Sequence, residues 1–125
     1  GAHIHDVQSG LHDLCLLGWA GDNGDPDNFL YVLLDRDSAV VGDARNVAFY
    51  RSAEVHGLLV YAREASEQAE RAKYYEKAQE IIARDAPWVP LAHGKLTLAA
   101  RAEIEGLRIH PSAVVYFDRV WVRNP

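Results

Sequence analysis

Cysteine is nearly absent from this sequence, since Cys15 is the only one among 125 residues. A single cysteine excludes an internal disulfide and a cysteine-rich metal centre. Cys15 lies in an apolar stretch, residues 14–17, and is therefore predicted to be a buried small hydrophobe. No cation stands beside it in the sequence to favour the thiolate, which makes it a poor candidate for a catalytic nucleophile.

Long apolar runs and an excess of positive charge are also missing. No apolar run approaches the length that crosses a bilayer, and residues 1–10 are too polar for a signal peptide. The chain has 13 Lys and Arg residues against 18 Asp and Glu residues, which gives a formal net charge of −5. Because nucleic acids and anionic membrane surfaces favour a basic face, we predict neither of them as a partner.

The sequence motifs of several enzyme classes are lacking. There is no Gly-x-Ser-x-Gly elbow, no His-Glu-x-x-His helix and no glycine-rich phosphate loop. The sequence therefore predicts a protein that is not an enzyme and has no catalytic residues. A small hydrolase that uses Asp22 and Asp25 as an acid–base pair is the more distant alternative.

Metal-binding patterns are weak in this sequence. A calcium loop starting at Asn23 would need glycine and glutamate where Asn28 and Leu34 stand. His3 and His5 offer two ligands with no third nearby, which makes a weak site on a terminal segment. We therefore predict no metal site and no cofactor.

The most informative stretch that is present is residues 18–30. It holds three acids within six residues, it is punctuated by glycine and proline, and apolar runs flank it on both sides. This composition predicts a strand, an acidic turn and then a helix. Carboxylates beside an indole suit a cationic group with an apolar neighbour, such as the amino terminus of a peptide. The acids and the indole are Asp22, Asp25, Asp27 and Trp19.

Hydrophobic periodicity predicts a single domain of mixed class, α/β or α+β. The predicted helices cover residues 2–8 and 26–34, and two longer ones are capped by Ser52 and Ser66, the second ending at Pro87. A continuous apolar run at 13–19 predicts a strand that is buried on both faces of a sheet. Shorter strands or extended segments are predicted at residues 47–50, 89–92, 96–100, 107–110 and 114–122.

The amino-acid sequences of several segments resemble those of the dipeptide-binding branch of the bacterial extracellular solute-binding proteins. Residues 18–30 carry the most specific resemblance, and the other segments follow in the expected order along the chain. These are the Asn-x-x-x-Tyr pattern at 46–50, the helix and acid-Ala-Pro stop at 74–87, the strand at 88–93 and the closing segment at 106–122. The resemblance implies the C-terminal part of a two-lobed fold, with helices packed on a mixed sheet.

The resemblance also implies roles for particular residues. The acid four residues after the strand glycine meets the ligand's amino terminus in this family, and that acid is Asp22, after Gly18. Trp19 corresponds to an indole that lines the ligand cavity. The backbone from Gly18 through Ala20 to Gly21 would pair with the bound peptide. His93 lies near the point where the chain returns between lobes and is a further candidate for the cleft. Asp25 and Asp27 are expected to be structural caps or loop anchors.

The implied function is peptide binding for an ABC transporter in the periplasm or outside the cell. Residues 1–105 would belong to the distal lobe, and residues 106–125 would be closing strands that return to the other lobe. The implied partners are a di- or oligopeptide, the membrane permease subunits and an upstream remainder of the same protein. Longer peptides, nickel complexes and haem remain open as ligands. A stand-alone interaction or regulatory module is the alternative.

Overall fold

Four α-helices and four two-residue strands form the regular structure of residues 1–21 and 23–123, the part of the chain that this computed structural model describes. The helices are α1 (Ala2–Gln8), α2 (Asp27–Leu34), α3 (Ala53–Glu64) and α4 (Gln68–Asp85), with a short 3-10 turn at Arg36–Ser38 after α2. The strands are β1 (Ile104–Glu105), β2 (Arg108–Ile109), β3 (Val115–Tyr116) and β4 (Trp121–Val122). The predicted mixture of helix and strand is confirmed.

The core lies where α2, α3 and α4 meet. Helix α3 presents Val55, Leu59 and Ala62 on one face, and all three are buried. Helix α4 contributes Tyr75, Ala78 and Ile81, and helix α2 adds three leucines. Burial of a side chain such as Leu59 contributes about 1.5–3 kcal/mol of transfer free energy. The three helices therefore form a packed platform, and Arg71 of α4 attaches the turn at residues 23–26 to it through Asp25.

Helix ends follow local chemistry in most places. Ser52 caps α3 as predicted, because its Oγ accepts a hydrogen bond from the Val55 amide at 3.2 Å. The prediction for Ser66 is wrong, since Glu67 occupies the N-cap of α4 and makes no side-chain cap bond. At the other end, Ala86 adopts a left-handed conformation with φ of 47°. The predicted stop at Pro87 is confirmed, since α4 ends at Asp85.

The buried strand predicted at residues 13–19 is wrong for this chain. These residues form no ladder, and Leu14 and Leu16 are 91% and 76% exposed. An apolar run becomes a strand only when a neighbour supplies backbone partners, and no described residue does so here. The apolar pattern predicts that Cys15 is buried, but the residue is only half-buried in the structure.

Residues 89–92 and 96–100 are also irregular and exposed, for the same reason. The short strand predicted at 47–50 is instead a turn, and the side chain of Asn46 explains it. Asn46 is fully buried, and its Nδ2 donates to the carbonyl oxygens of Tyr50 at 2.8 Å and Asp35 at 3.0 Å. These bonds satisfy backbone groups that a strand would have paired elsewhere.

The closing segment forms two nested antiparallel ladders. β2 pairs with β3 through Arg108↔Tyr116 and Ile109↔Val115, and outside them β1 pairs with β4. Gly106 joins β1 to β2 at φ of 76°, where an added Cβ would clash with the Arg119 carbonyl. The extended character predicted for 107–110 and 114–122 is confirmed in part. Strands occupy residues 108–109, 115–116 and 121–122, whereas residues 118 and 119 form a turn between β3 and β4.

Candidate functional site

The candidate ligand segment, residues 18–21, has no regular secondary structure and no backbone ladder in the described part of the chain. Gly18 and Ala20 are exposed, Gly21 is half-buried and the Trp19 side chain is 41% exposed. Asp22 lies outside the described residues. The segment therefore offers unpaired N–H and C=O groups and one open indole face, which together suit an extended ligand or another strand.

The turn that follows residue 22 is held by its own side chains. The Asn23 carboxamide oxygen accepts a hydrogen bond from the Asp25 amide at 3.0 Å, and Asp25 accepts one from the Asp27 amide at 2.9 Å. Asn and Asp side chains that accept hydrogen bonds from nearby backbone amides stabilise tight turns. They start α2 without a side-chain cap at its N-cap residue, Pro26.

Asp25 also joins this turn to the helical platform. Arg71 on α4 places Nη2 at 3.0 Å from both Asp25 carboxylate oxygens, and its Nε donates to the Ala62 carbonyl of α3 at 2.9 Å. The hydrogen bond from the Asp27 amide, together with the hydrogen bond and the charge of Arg71, holds the pKa of Asp25 below its ordinary value. A carboxylate that is stabilised in its ionised form and already paired is a poor general acid. The structure therefore supports an anchoring role for Asp25.

The Asp27 carboxylate is less well compensated than that of Asp25. Arg63 of α3 places Nε 3.5 Å from Asp27 Oδ1, and that buried oxygen has no hydrogen-bond partner. Burial raises the pKa of the Asp27 carboxyl, and the Arg63 charge only partly opposes this. Arg63 also stacks over the Tyr31 ring, 4.4 Å from its centroid. The ion pair between Asp27 and Arg63 is therefore offset by the cost of burying the carboxylate.

An open cleft of about 340 Å³ lies among these side chains, and its lining begins with Asn23. Its lining is mostly charged or amide-bearing and consists of Asn23, Asp25, Asp27, Asn28, Val32, Arg63 and Arg71. Sequence patterns had singled out the acids but not the arginines. Arg63 and Arg71 lie more than thirty positions away on other helices, and no spacing rule links them to the turn.

His93 is not brought to this cleft by any recorded contact. It lies in the exposed segment at 91–100 and makes no hydrogen bond, ion pair or ring contact with a described residue. The indole of Trp19 likewise has no ring partner in the described part of the chain. Their shared role in a cleft is therefore a prediction that rests on the resemblance.

Comparison with known proteins covers most of the chain. No protein-family model matches it. The Di/tripeptide-binding protein 4 of Pseudomonas aeruginosa is 48% identical over 104 residues, which is 83% of this chain but 19% of that protein. The chain therefore spans about a fifth of the length of this relative.

Two solved structures match as well. The dipeptide binding protein from Pseudoalteromonas sp. SM9913, in complex with Met-Leu, matches 98% of this chain at a TM-score of 0.77 and 31% identity. This chain belongs to the dipeptide-binding family of solute-binding proteins. The Helicobacter pylori periplasmic binding protein DppA, in complex with the peptide STSA, matches 72% of the chain at a TM-score of 0.69 and 43% identity. These matches cover 24% and 18% of the two proteins.

The family match confirms the predicted fold as a C-terminal portion of a periplasmic-binding-protein architecture. The matched proteins are named for binding and not for catalysis, in agreement with the prediction that the chain is not an enzyme. Among the residues that the structure describes, no helix combines the length and the apolar character that crossing a membrane requires.

Proposed function

We propose that this chain is part of the solute-binding component of a peptide ABC transporter and supplies one wall of an interlobe cleft. The observation that carries the proposal is the match of nearly the whole chain to a structure with a bound dipeptide. The exposed, unpaired backbone at residues 18–21 supports it, because a peptide recognised through its main chain needs such partners.

Asp22 is the residue that we assign to the ligand's amino terminus. Its neighbours in the acidic turn are already committed, since Asp25 pairs with Arg71 and Asp27 lies against Arg63. A carboxylate in a closed cleft needs a cationic partner, and a peptide ammonium provides one. This division of roles also weighs against the hydrolase alternative, which needs Asp25 as a proton donor or acceptor.

The other proposed contacts follow from their surroundings. Trp19 offers an open indole face for a ligand side chain, and Gly18, Ala20 and Gly21 offer backbone groups. His93 would reach the cleft from the segment that returns between lobes. The partner of the peptide carboxylate would come from an upstream remainder of the same protein, so this chain holds half of the site.

The proposed setting is the periplasm or the outside of the cell, with the permease subunits of the transporter as docking partners. In this arrangement residues 1–105 belong to the distal lobe and residues 106–125 return to the other lobe. The β1–β4 ladder would then lie across the point where the two segments meet.

The test is the affinity of the longer, two-lobed protein for a dipeptide, measured by isothermal titration calorimetry. Asp22→Ala is expected to cost about 2–5 kcal/mol, because it leaves an ammonium unpaired in a closed cleft. Asp13→Asn is the matched control, since it removes one exposed acid near the same segment. An affinity of Asp22→Ala within about twofold of the wild type would show that Asp22 is only a turn residue.

A further inference from the structure

A second cluster of polar side chains lies between the C-terminal end of α2 and the first turn of α3. It consists of Asp35, Asp37 and His56, and one donor atom from each lies within 4.8 Å of the others. His56 Nδ1 is 2.9 Å from Asp35 Oδ2 and 3.9 Å from Asp37 Oδ2. Two ligand atoms that each lie about 2.0–2.2 Å from one metal ion can be at most about 4.4 Å apart. Both separations from His56 Nδ1 are within that limit.

We propose that Asp35, Asp37 and His56 form a binding site for one divalent transition-metal ion of the zinc class. One imidazole nitrogen and two carboxylate oxygens are ligands that zinc accepts, and water would complete a four-coordinate site. The inference is independent of peptide binding, because none of the three residues lines the cleft beside the acidic turn.

The surroundings of the cluster hold these ligands in place. The Asp37 amide donates to Asp35 Oδ1 at 2.8 Å, and the Asn46 side chain fixes the Asp35 carbonyl at 3.0 Å. Tyr31 donates its hydroxyl to Asp37 Oδ2 at 3.3 Å. Hydrogen bonds to ligands from a second layer of residues are typical of metal sites.

Side-chain exposure increases across the cluster from Asp35 to Asp37, so an ion could enter from solvent at the Asp37 side. The Asp35 side chain is fully buried and forms the floor, His56 is 19% exposed and Asp37 is 54% exposed at the rim. A buried carboxylate needs a cationic partner, and within the described residues only His56 pairs with the Asp35 side chain, as a cation only when protonated. Arg36 lies 3.6 Å from Asp37 Oδ1 at the exposed rim, so a metal ion would chiefly supply the positive charge that the buried Asp35 carboxylate lacks.

The experiment is a calorimetric titration of the chelator-treated chain with zinc chloride. The wild type is expected to bind one equivalent, and both His56→Ala and Asp37→Asn are expected to weaken binding by about tenfold or more. The double variant His3→Ala/His5→Ala is the control for the terminal histidines and should bind as the wild type does. Absence of binding, equal binding by His56→Ala, or loss of binding in the control would each overturn the proposal.

Two further measurements keep the test independent of folding. Asp37→Asn changes a half-exposed side chain isosterically, so circular dichroism should show a folded chain even if His56→Ala disrupts the structure. In proton–nitrogen spectra of the histidine rings, zinc should shift His56 and leave the exposed His93 unchanged. Shifts confined to other histidines would place the ion elsewhere and refute the assignment.

Discussion

Arg71 on α4 bonds through one nitrogen to both carboxylate oxygens of Asp25, each at 3.0 Å, although the two residues are 46 positions apart. The same guanidinium donates to the Ala62 carbonyl and to the Tyr75 hydroxyl. One side chain thus joins the acidic turn to both long helices. In the proposed receptor, this link would hold the turn next to Asp22 in a fixed position relative to the helical core.

The first prediction concerns this link and its dependence on pH. The lowered pKa of Asp25 means that the folded state favours its ionised form. The stabilisation is therefore fully present above the unfolded pKa, near the ordinary value of 3.8, and is lost as pH falls through the lower folded value. Asp25→Asn should destabilise the fold by about 0.5–1 kcal/mol at pH 7, a range suited to a partly exposed pair.

Urea unfolding of wild type and Asp25→Asn between pH 7 and pH 2.5 checks this. The difference between the two proteins should narrow below pH 4. A difference that stays constant through this range would mean that the carboxylate charge does not contribute to the link.

The second prediction concerns Asp27, whose pKa is shifted in the opposite direction from that of Asp25. Its pKa is raised by burial, so the folded state favours the protonated form, and the charged form costs stability as pH rises through the folded pKa. Asp27→Asn should therefore leave stability at pH 7 unchanged or raise it, while dipeptide affinity stays constant. The matched comparison is Asp25→Asn under the same unfolding conditions. A loss of more than about 1 kcal/mol on Asp27→Asn would show that the Arg63 pair outweighs the cost of burial.

The third prediction compares two serines that have the same sequence signal. Ser52 accepts the Val55 amide at the start of α3, whereas Ser66 precedes α4 without a side-chain cap bond. Ser52→Ala should lower the free energy of unfolding by about 1 kcal/mol, and Ser66→Ala should change it by only a few tenths. Thermal or urea unfolding of the two variants decides the matter. Equal effects would contradict the difference in capping.

The fourth prediction is that the 125-residue chain alone binds dipeptides poorly and self-associates. Several large apolar side chains are at least 50% exposed, including Leu14, Leu16, Leu91 and Trp121. Exposed apolar surface and unpaired backbone favour association with another chain. A ligand also gains affinity from enclosure by two walls, and this chain supplies one.

Light scattering and a calorimetric dipeptide titration test both parts of this prediction. The expected results are oligomers at micromolar concentration and no measurable heat of binding. A monomer that binds dipeptides at micromolar concentration would show that the chain is an autonomous receptor. That result would leave the family assignment intact but remove the half-site proposal.

The sequence by itself determined the features that depend on near neighbours. The periodicity of residues 53–64 predicts which face of α3 is buried, and Ser52 and Pro87 mark a helix start and a helix stop. The wording of residues 18–30 was specific enough to indicate the family that the comparisons then showed. Each of these signals lies within a few turns of the backbone, where spacing and side-chain chemistry act directly.

Tertiary structure decided what depends on distant partners. The apolar run at 13–19 has the composition of a buried strand, yet a strand needs a neighbouring backbone and the described residues provide none. Asp25 and Asp27 are equivalent by composition, and only the folded chain distinguishes them. The Asp27 amide and Arg71 of α4 stabilise the ionised Asp25 carboxylate, whereas burial disfavours the ionised form of Asp27. The Asp35–His56 pair, 21 positions apart, arises because the chain folds back after α2 and buries a carboxylate that requires a partner.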